Sequence, residues 1–127
     1  MNEETFRKYN VAFTIDDCPR CRILNSFIER INSNLVKRIR IINCTYYQKY
    51  GIITDPLIII FNKHFDGFPT LFIKGVRIIG CNSRIESEAD LRVRFNKYFI
   101  IPETNEFIFN KECEYKRKRL LRRVICD

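Results

Sequence analysis

The segment Cys18-Pro19-Arg20-Cys21 constrains this chain more than any other, because the hydrophobic pattern changes period there. Before it, Tyr9-Asn10-Val11-Ala12-Phe13-Thr14-Ile15 is a mostly apolar run of strand-like composition that stops at the turn-prone pair Asp16-Asp17. After it, Cys21, Leu24, Phe27, Ile28 and Ile31 recur at helical spacing, and Pro19 suits the first helical position, where a missing N–H costs no hydrogen bond. A helix that opens at Pro19 places Cys18 among unpaired backbone N–H groups, with Cys21 one turn further in.

The pair stands out against the other four cysteines, Cys44, Cys81, Cys113 and Cys126, which are isolated from one another. No charged start followed by an apolar core resembles an export signal, so the expected setting is the reducing cytoplasm, where cysteines are buried, metal-bound or redox-active rather than a disulfide framework. A zinc ribbon needs a second close pair, and His64 is the single histidine, so no metal site is expected. The composition is globular, at 127 residues with 46% hydrophobic side chains, and the longest apolar run, Pro56-Leu57-Ile58-Ile59-Ile60-Phe61, falls far short of the about 18 residues a membrane span requires. No membrane partner is expected. Abundant Ile, frequent Asn, Lys and Tyr, and alanine only at Ala12 and Ala89 look like AT-rich coding drift, as in some large cytoplasmic DNA viruses or AT-rich microbes.

Beyond the first helix, Arg38-Ile39-Arg40-Ile41-Ile42-Asn43-Cys44 reads as a second strand, and strand, helix, strand favours parallel pairing. Tyr46 to Tyr50 reads as a helical turn ending near Gly51, whereas Leu57 to Phe61 is open between an extra strand and a buried insert. Phe68-Pro69-Thr70-Leu71-Phe72-Ile73 and Val76-Arg77-Ile78-Ile79 flank Lys74-Gly75 as a hairpin. Ser83-Arg84-Ile85-Glu86 and Ser87-Glu88-Ala89-Asp90 both have the form of a helix cap, and Leu91, Phe95, Tyr98 and Phe99 mark the apolar face of a last helix that Pro102 should end. A compact unit over residues 1–102 and an appended basic extension over 103–127, with a short strand at Glu106-Phe107-Ile108-Phe109, is the expected organisation.

Taken in order, Cys18-Pro19-Arg20-Cys21, Phe68-Pro69-Thr70-Leu71-Phe72-Ile73-Lys74-Gly75 and Ile78-Ile79-Gly80-Cys81 resemble the thioredoxin fold, and most closely its dithiol glutaredoxins, from about Val11 to Phe99. The resemblance implies an α/β fold with a central mixed β-sheet flanked by helices, and a cis peptide bond before Pro69. It also implies a groove for glutathione or an extended peptide, formed by Arg20, Phe68, Pro69, Thr70, Gly80, Cys81 and Asn82. The chain departs from that family at Ile15, where a lysine commonly meets a glutathione carboxylate, and at Gly80-Cys81-Asn82-Ser83, which lacks the acidic side chain for the glutathione amino group. Lys49-Tyr50-Gly51-Ile52 is closer to thioredoxin, although residues 53–68 separate it from Pro69 and the chain has no Trp.

The chemistry implied is thiol–disulfide exchange, with Cys18 attacking and Cys21 resolving, on disulfide-containing protein substrates or glutathione mixed disulfides. Glutathione would serve as cosubstrate, with no tightly bound cofactor. The helix terminus and Arg20 favour the Cys18 thiolate while Asp16 and Asp17 oppose it. Cys81 is open between a half-buried turn residue and a peripheral redox thiol, and Cys113 and Cys126 between a mutual pair and free thiols. The net charge is +8, and Lys116-Arg117-Lys118-Arg119 with Arg122-Arg123 supplies six of the positive charges, either a solvated tail or a docking element for nucleic acid or an acidic protein. A thioredoxin-fold adaptor acting through that tail, and an iron–sulfur carrier, are the competing functions; Pro19 argues against the carrier.

Overall fold

The computed structural model describes residues 7–33, 35, 37–100, 107–111 and 113. Its centre is a four-stranded mixed sheet in the order β2-β1-β3-β4, formed by β1 (Val11–Thr14), β2 (Arg40–Asn43), β3 (Thr70–Ile73) and β4 (Val76–Ile79). β1 and β2 run parallel, with Val11 opposite Arg40 and Thr14 opposite Asn43, and are joined through helix α1 (Pro19–Asn32), as parallel neighbours require. β3 lies antiparallel to β1, with Thr70 opposite Phe13, and β4 antiparallel to β3. The register shifts between Leu71 and Phe72.

All four residues of β1 and of β3 are buried, because helices cover both faces of the sheet. On one face Ala12, Leu71 and Ile73 meet Leu24, Phe27 and Ile28 of α1 and Leu91, Phe95 and Tyr98 of the last helix, and the Phe27 and Phe95 rings contact edge to face at 4.7 Å. On the other face Val11, Phe13, Ile42 and Phe72 pack against Leu57, Ile58 and Phe61, with Phe13 stacked on Phe65 at 4.8 Å. Alternation along each strand divides these side chains between the two clusters.

Two short helices follow β2. The first, α2 (Thr45–Tyr50), closes at Gly51 in the left-handed conformation, φ 70°, as the sequence suggested. The second, α3 (Pro56–Phe61), overturns the strand reading of Leu57–Phe61 and agrees with the buried insert, since Leu57, Ile58 and Phe61 are buried. The Asp55 carboxylate accepts the Leu57 N–H at 2.9 Å and Pro56 occupies the first turn, a start signal that outweighs the β-branched character of Pro56-Leu57-Ile58-Ile59-Ile60-Phe61. Arg40 of β2 also pairs with Asp55, fixing α3 to the sheet edge.

Lys74 and Gly75 both have positive φ, 50° and 78°, so the hairpin turn twists with its strands. The last helix, α4 (Glu88–Tyr98), is capped by Asp90, whose carboxylate accepts the N–H groups of Glu86 and Ser87. Of the two cap-like runs only Ser87-Glu88-Ala89-Asp90 starts a helix. Phe99 falls outside the helical face; it opens β5 (Phe99–Ile100), which pairs with β6 (Ile108–Phe109). Phe107, Phe109 and Cys113 are buried in the first core cluster, so packing reaches beyond the compact pattern read from the sequence. The expected boundary at residues 102/103, Pro102 itself, the run Lys116 to Arg123 and Cys126 lie outside the described residues. No helix among the described residues is long and apolar enough to cross a membrane.

Candidate functional site

Three chain segments meet at the end of the sheet where β1 stops. β1 leads through the Asp16-Asp17 turn to Cys18. The antiparallel register of β3 brings Phe68-Pro69 to that same end, and β4 returns there to deliver Gly80-Cys81. The Phe68–Pro69 peptide bond is cis.

Cys18 is half-buried and caps α1 from an extended backbone conformation, its Sγ accepting the Cys21 N–H at 3.2 Å. Cys21, one turn on, is only 1% exposed. Burial, and then a hydrogen bond to Cys18, push the Cys21 thiol up to about 12, against an opposing backbone hydrogen bond from Ile15. The pair is therefore unequal: one cysteine stands half-buried at a helix terminus, and the other is a buried thiol held protonated beside it.

Arg20 lies between the pair and the Gly80 turn. Its Nη1 donates to the Cys81 carbonyl at 2.7 Å and the Ser83 carbonyl at 3.3 Å, so the guanidinium holds the turn and keeps its charge beside the α1 terminus. Ser83, which the sequence suggested as a helix cap, is buried and closes the turn instead: its Oγ accepts the Gly80 N–H at 3.1 Å and its N–H donates to the Gly80 carbonyl at 3.0 Å. Cys81 is half-buried and Asn82 exposed. A Cβ on Gly67 would lie 3.0 Å from the Cys81 Cβ, so the loop before Pro69 rests directly on this turn.

The other residues expected to form the groove differ in exposure. Phe68 is half-buried against Phe65, ring centroids 5.6 Å apart. Pro69 and Thr70 are buried, and the Thr70 hydroxyl donates to the Gly67 carbonyl at 2.8 Å, so its side chain fixes the loop. Asp16 has a positioning role that its sequence position did not announce. Its N–H donates to the Thr45 hydroxyl at 2.8 Å and its carboxylate accepts from Asn43 at 2.7 Å, tying the turn before Cys18 to the start of α2. Asp17 takes φ 56° in that turn, a conformation Asp tolerates.

Cys44 is fully buried in the second cluster, and burial followed by the Asp55 charge pushes its thiol up to about 11, which leaves it unreactive at neutral pH. Cys113 is fully buried on the opposite face. Burial, then the charges of Arg77 and Lys63, hold His64 below the usual histidine range. Among the described residues no three His, Cys, Asp or Glu side chains gather as a metal centre would require.

Compared with known proteins, the chain matches no family model, no curated protein and no solved structure.

Proposed function

We propose that the chain is a thiol–disulfide oxidoreductase of thioredoxin-like fold, closest in character to the dithiol glutaredoxins, acting on protein disulfides or glutathione mixed disulfides. The observation that carries this reading is the inequality of the two thiols: Cys18 half-buried at the α1 terminus, Cys21 buried and held protonated one turn away. The parallel–antiparallel sheet order, the cis peptide before Pro69 and the convergence of three loops at one sheet end support the likeness.

In the first step the Cys18 thiolate attacks a substrate disulfide, the substrate S–S bond breaks, and one substrate sulfur leaves and takes up a proton while the other remains bonded to Cys18. In the second, Cys21 loses its proton and attacks Cys18 Sγ, releasing the second substrate thiolate. The substrate gains two electrons and the protein ends with a Cys18–Cys21 disulfide, which two glutathione molecules return to the dithiol as they become glutathione disulfide. Once Cys18 is in a mixed disulfide, both its hydrogen bond and its charge cease to hold the Cys21 proton. The Ile15 backbone and Arg20 are then left to favour the Cys21 thiolate against burial.

The test is turnover of a glutathionylated peptide, with glutathione as reductant, beside reduction of an insulin-like protein disulfide, for wild type and Cys21→Ser. The account expects wild type to turn over both and Cys21→Ser to lose the protein disulfide first. Absence of both activities in reduced, folded wild type contradicts it.

A further inference from the structure

At the opposite end of β1 from Cys18, a cavity of about 570 Å3 is lined by Arg7, Lys8, Lys37, Arg38, Arg40 and Lys74, and no acidic side chain lines it among the described residues. From Asn10 to Ile15 the strand rises about 3.3 Å per residue, so the two sites lie on the order of 16 Å apart. Gathering cations in one hollow raises mutual repulsion, and a merely solvated basic face would spread them apart.

This hollow is built. Its charges come from three separate segments, and Asn10 braces two of them across β1: its Oδ1 accepts the Lys74 N–H at 2.8 Å and its Nδ2 donates to the Lys37 carbonyl at 3.5 Å. Backbone bonds from Arg40 N–H to the Asn10 carbonyl, 2.9 Å, and from Gly75 N–H to the Tyr9 carbonyl, 3.3 Å, join the same two walls. Lys74 is held at φ 50°, an uncommon conformation for a lysine. Tyr9 and Leu57 add apolar surface to the lining, and Arg40 pairs with Asp55, which is not among the lining residues.

We propose that this cavity binds a compact small molecule carrying two or more phosphate groups, of the chemical class of a nucleoside diphosphate or an inositol polyphosphate. Its volume lies in the range of about 300–1,000 Å3 usual for small-ligand sites. Cations facing one another around a hollow suit phosphates clustered on one ligand. A nucleic-acid backbone instead spaces its charges along an extended strip. The Tyr9 and Leu57 surfaces suit the uncharged ring of such a ligand. The site is separate from Cys18 and does not depend on redox chemistry.

The test is calorimetric titration of the full-length, reduced protein with ADP, with inositol hexakisphosphate and with a single-stranded oligonucleotide, each alone and in competition. The proposal expects saturable one-to-one binding of ADP or inositol hexakisphosphate, the two arms telling which ring is accepted. It expects weakening by about tenfold or more in the double variant Lys37→Ala, Arg38→Ala. Asp55→Asn, which keeps an oxygen for the Leu57 N–H but releases Arg40, should tighten binding about threefold, a gain that a folding defect cannot produce. Any of three results overturns the proposal: neither small ligand binding at about 1 mM, binding undiminished in the double variant with no gain in Asp55→Asn, or oligonucleotide binding that neither small ligand displaces.

Discussion

The Arg20 guanidinium donates to the Cys81 carbonyl at 2.7 Å, joining the second residue of α1 to a turn 61 positions later in the chain. Arg20 thus connects the helix that presents Cys18 to the turn that follows Gly80. Replacing it with Met keeps the aliphatic stem and removes both hydrogen bonds. The expected cost is about 1–2 kcal/mol of stability, with Cys81 alkylated several-fold faster than in wild type, and Arg20→Lys should restore part of the difference. Peptide mapping after a maleimide pulse measures this, and an unchanged Cys81 rate would show that the turn holds without Arg20.

Gly67 and Cys81 join the same turn to a third segment, the loop before Pro69. Gly67→Ala brings a Cβ to 3.0 Å from the Cys81 Cβ, so loop and turn must separate, at an expected cost of about 1–3 kcal/mol. Cys81→Gly removes the opposing atom and should return most of that loss in the double variant. Urea unfolding of the four proteins checks it, and simple additivity of the two changes contradicts direct contact.

These relationships mark the limit of what the sequence reveals. The period change at Cys18, Pro19 at the helix start and Lys74-Gly75 between two β-rich runs are local signals, and β1, α1 and the hairpin follow from them. The helix over Pro56–Phe61 escaped because one uninterrupted apolar run has no period, although Asp55-Pro56 before it is a cap signal that distinguishes helix from strand. Ser83 has the same cap-like spacing to Glu86 that Ser87 has to Asp90, and only its partners in the fold, Gly80 within the turn and the distant Arg20, separate a turn-closing serine from a capping one. The basic cavity was illegible because its charges lie in three segments that only the sheet register brings together.

The buried thiols predict how stability changes at high pH. In the unfolded chain Cys44 and Cys21 titrate near their ordinary value of 9.0, and in the folded protein near about 11 and about 12. Between those values the unfolded chain releases protons that the folded protein keeps. Their contribution is complete below about pH 9 and is lost as pH rises through the folded values. Cys44→Ala should therefore lose stability less steeply from about pH 9 to about pH 11, by up to about 1.4 kcal/mol per pH unit. Urea midpoints under reducing conditions measure the slope; parallel slopes would mean that Cys44 titrates in the folded protein as it does in the unfolded chain.

Phe107 is fully buried with Leu24, Phe95 and Tyr98, so its removal should be felt throughout the first core cluster. Phe107→Ala is expected to cost about 3–5 kcal/mol, as for other large core truncations. An effect below about 0.5 kcal/mol, the size usual at a surface position, would show that this segment contributes little to the folded unit.

The division of labour between Cys18 and Cys21 is tested most directly by trapping. Reduced Cys18→Ser and Cys21→Ser proteins are mixed with glutathione disulfide, quenched with acid and mapped by mass spectrometry. Cys21→Ser should carry a glutathionyl group on Cys18 that persists, because attack is intact and release is not. Cys18→Ser should carry none on Cys21, whose buried thiol is held protonated. Glutathionylation of Cys21 in Cys18→Ser at a rate matching that of Cys18 in Cys21→Ser would contradict the account.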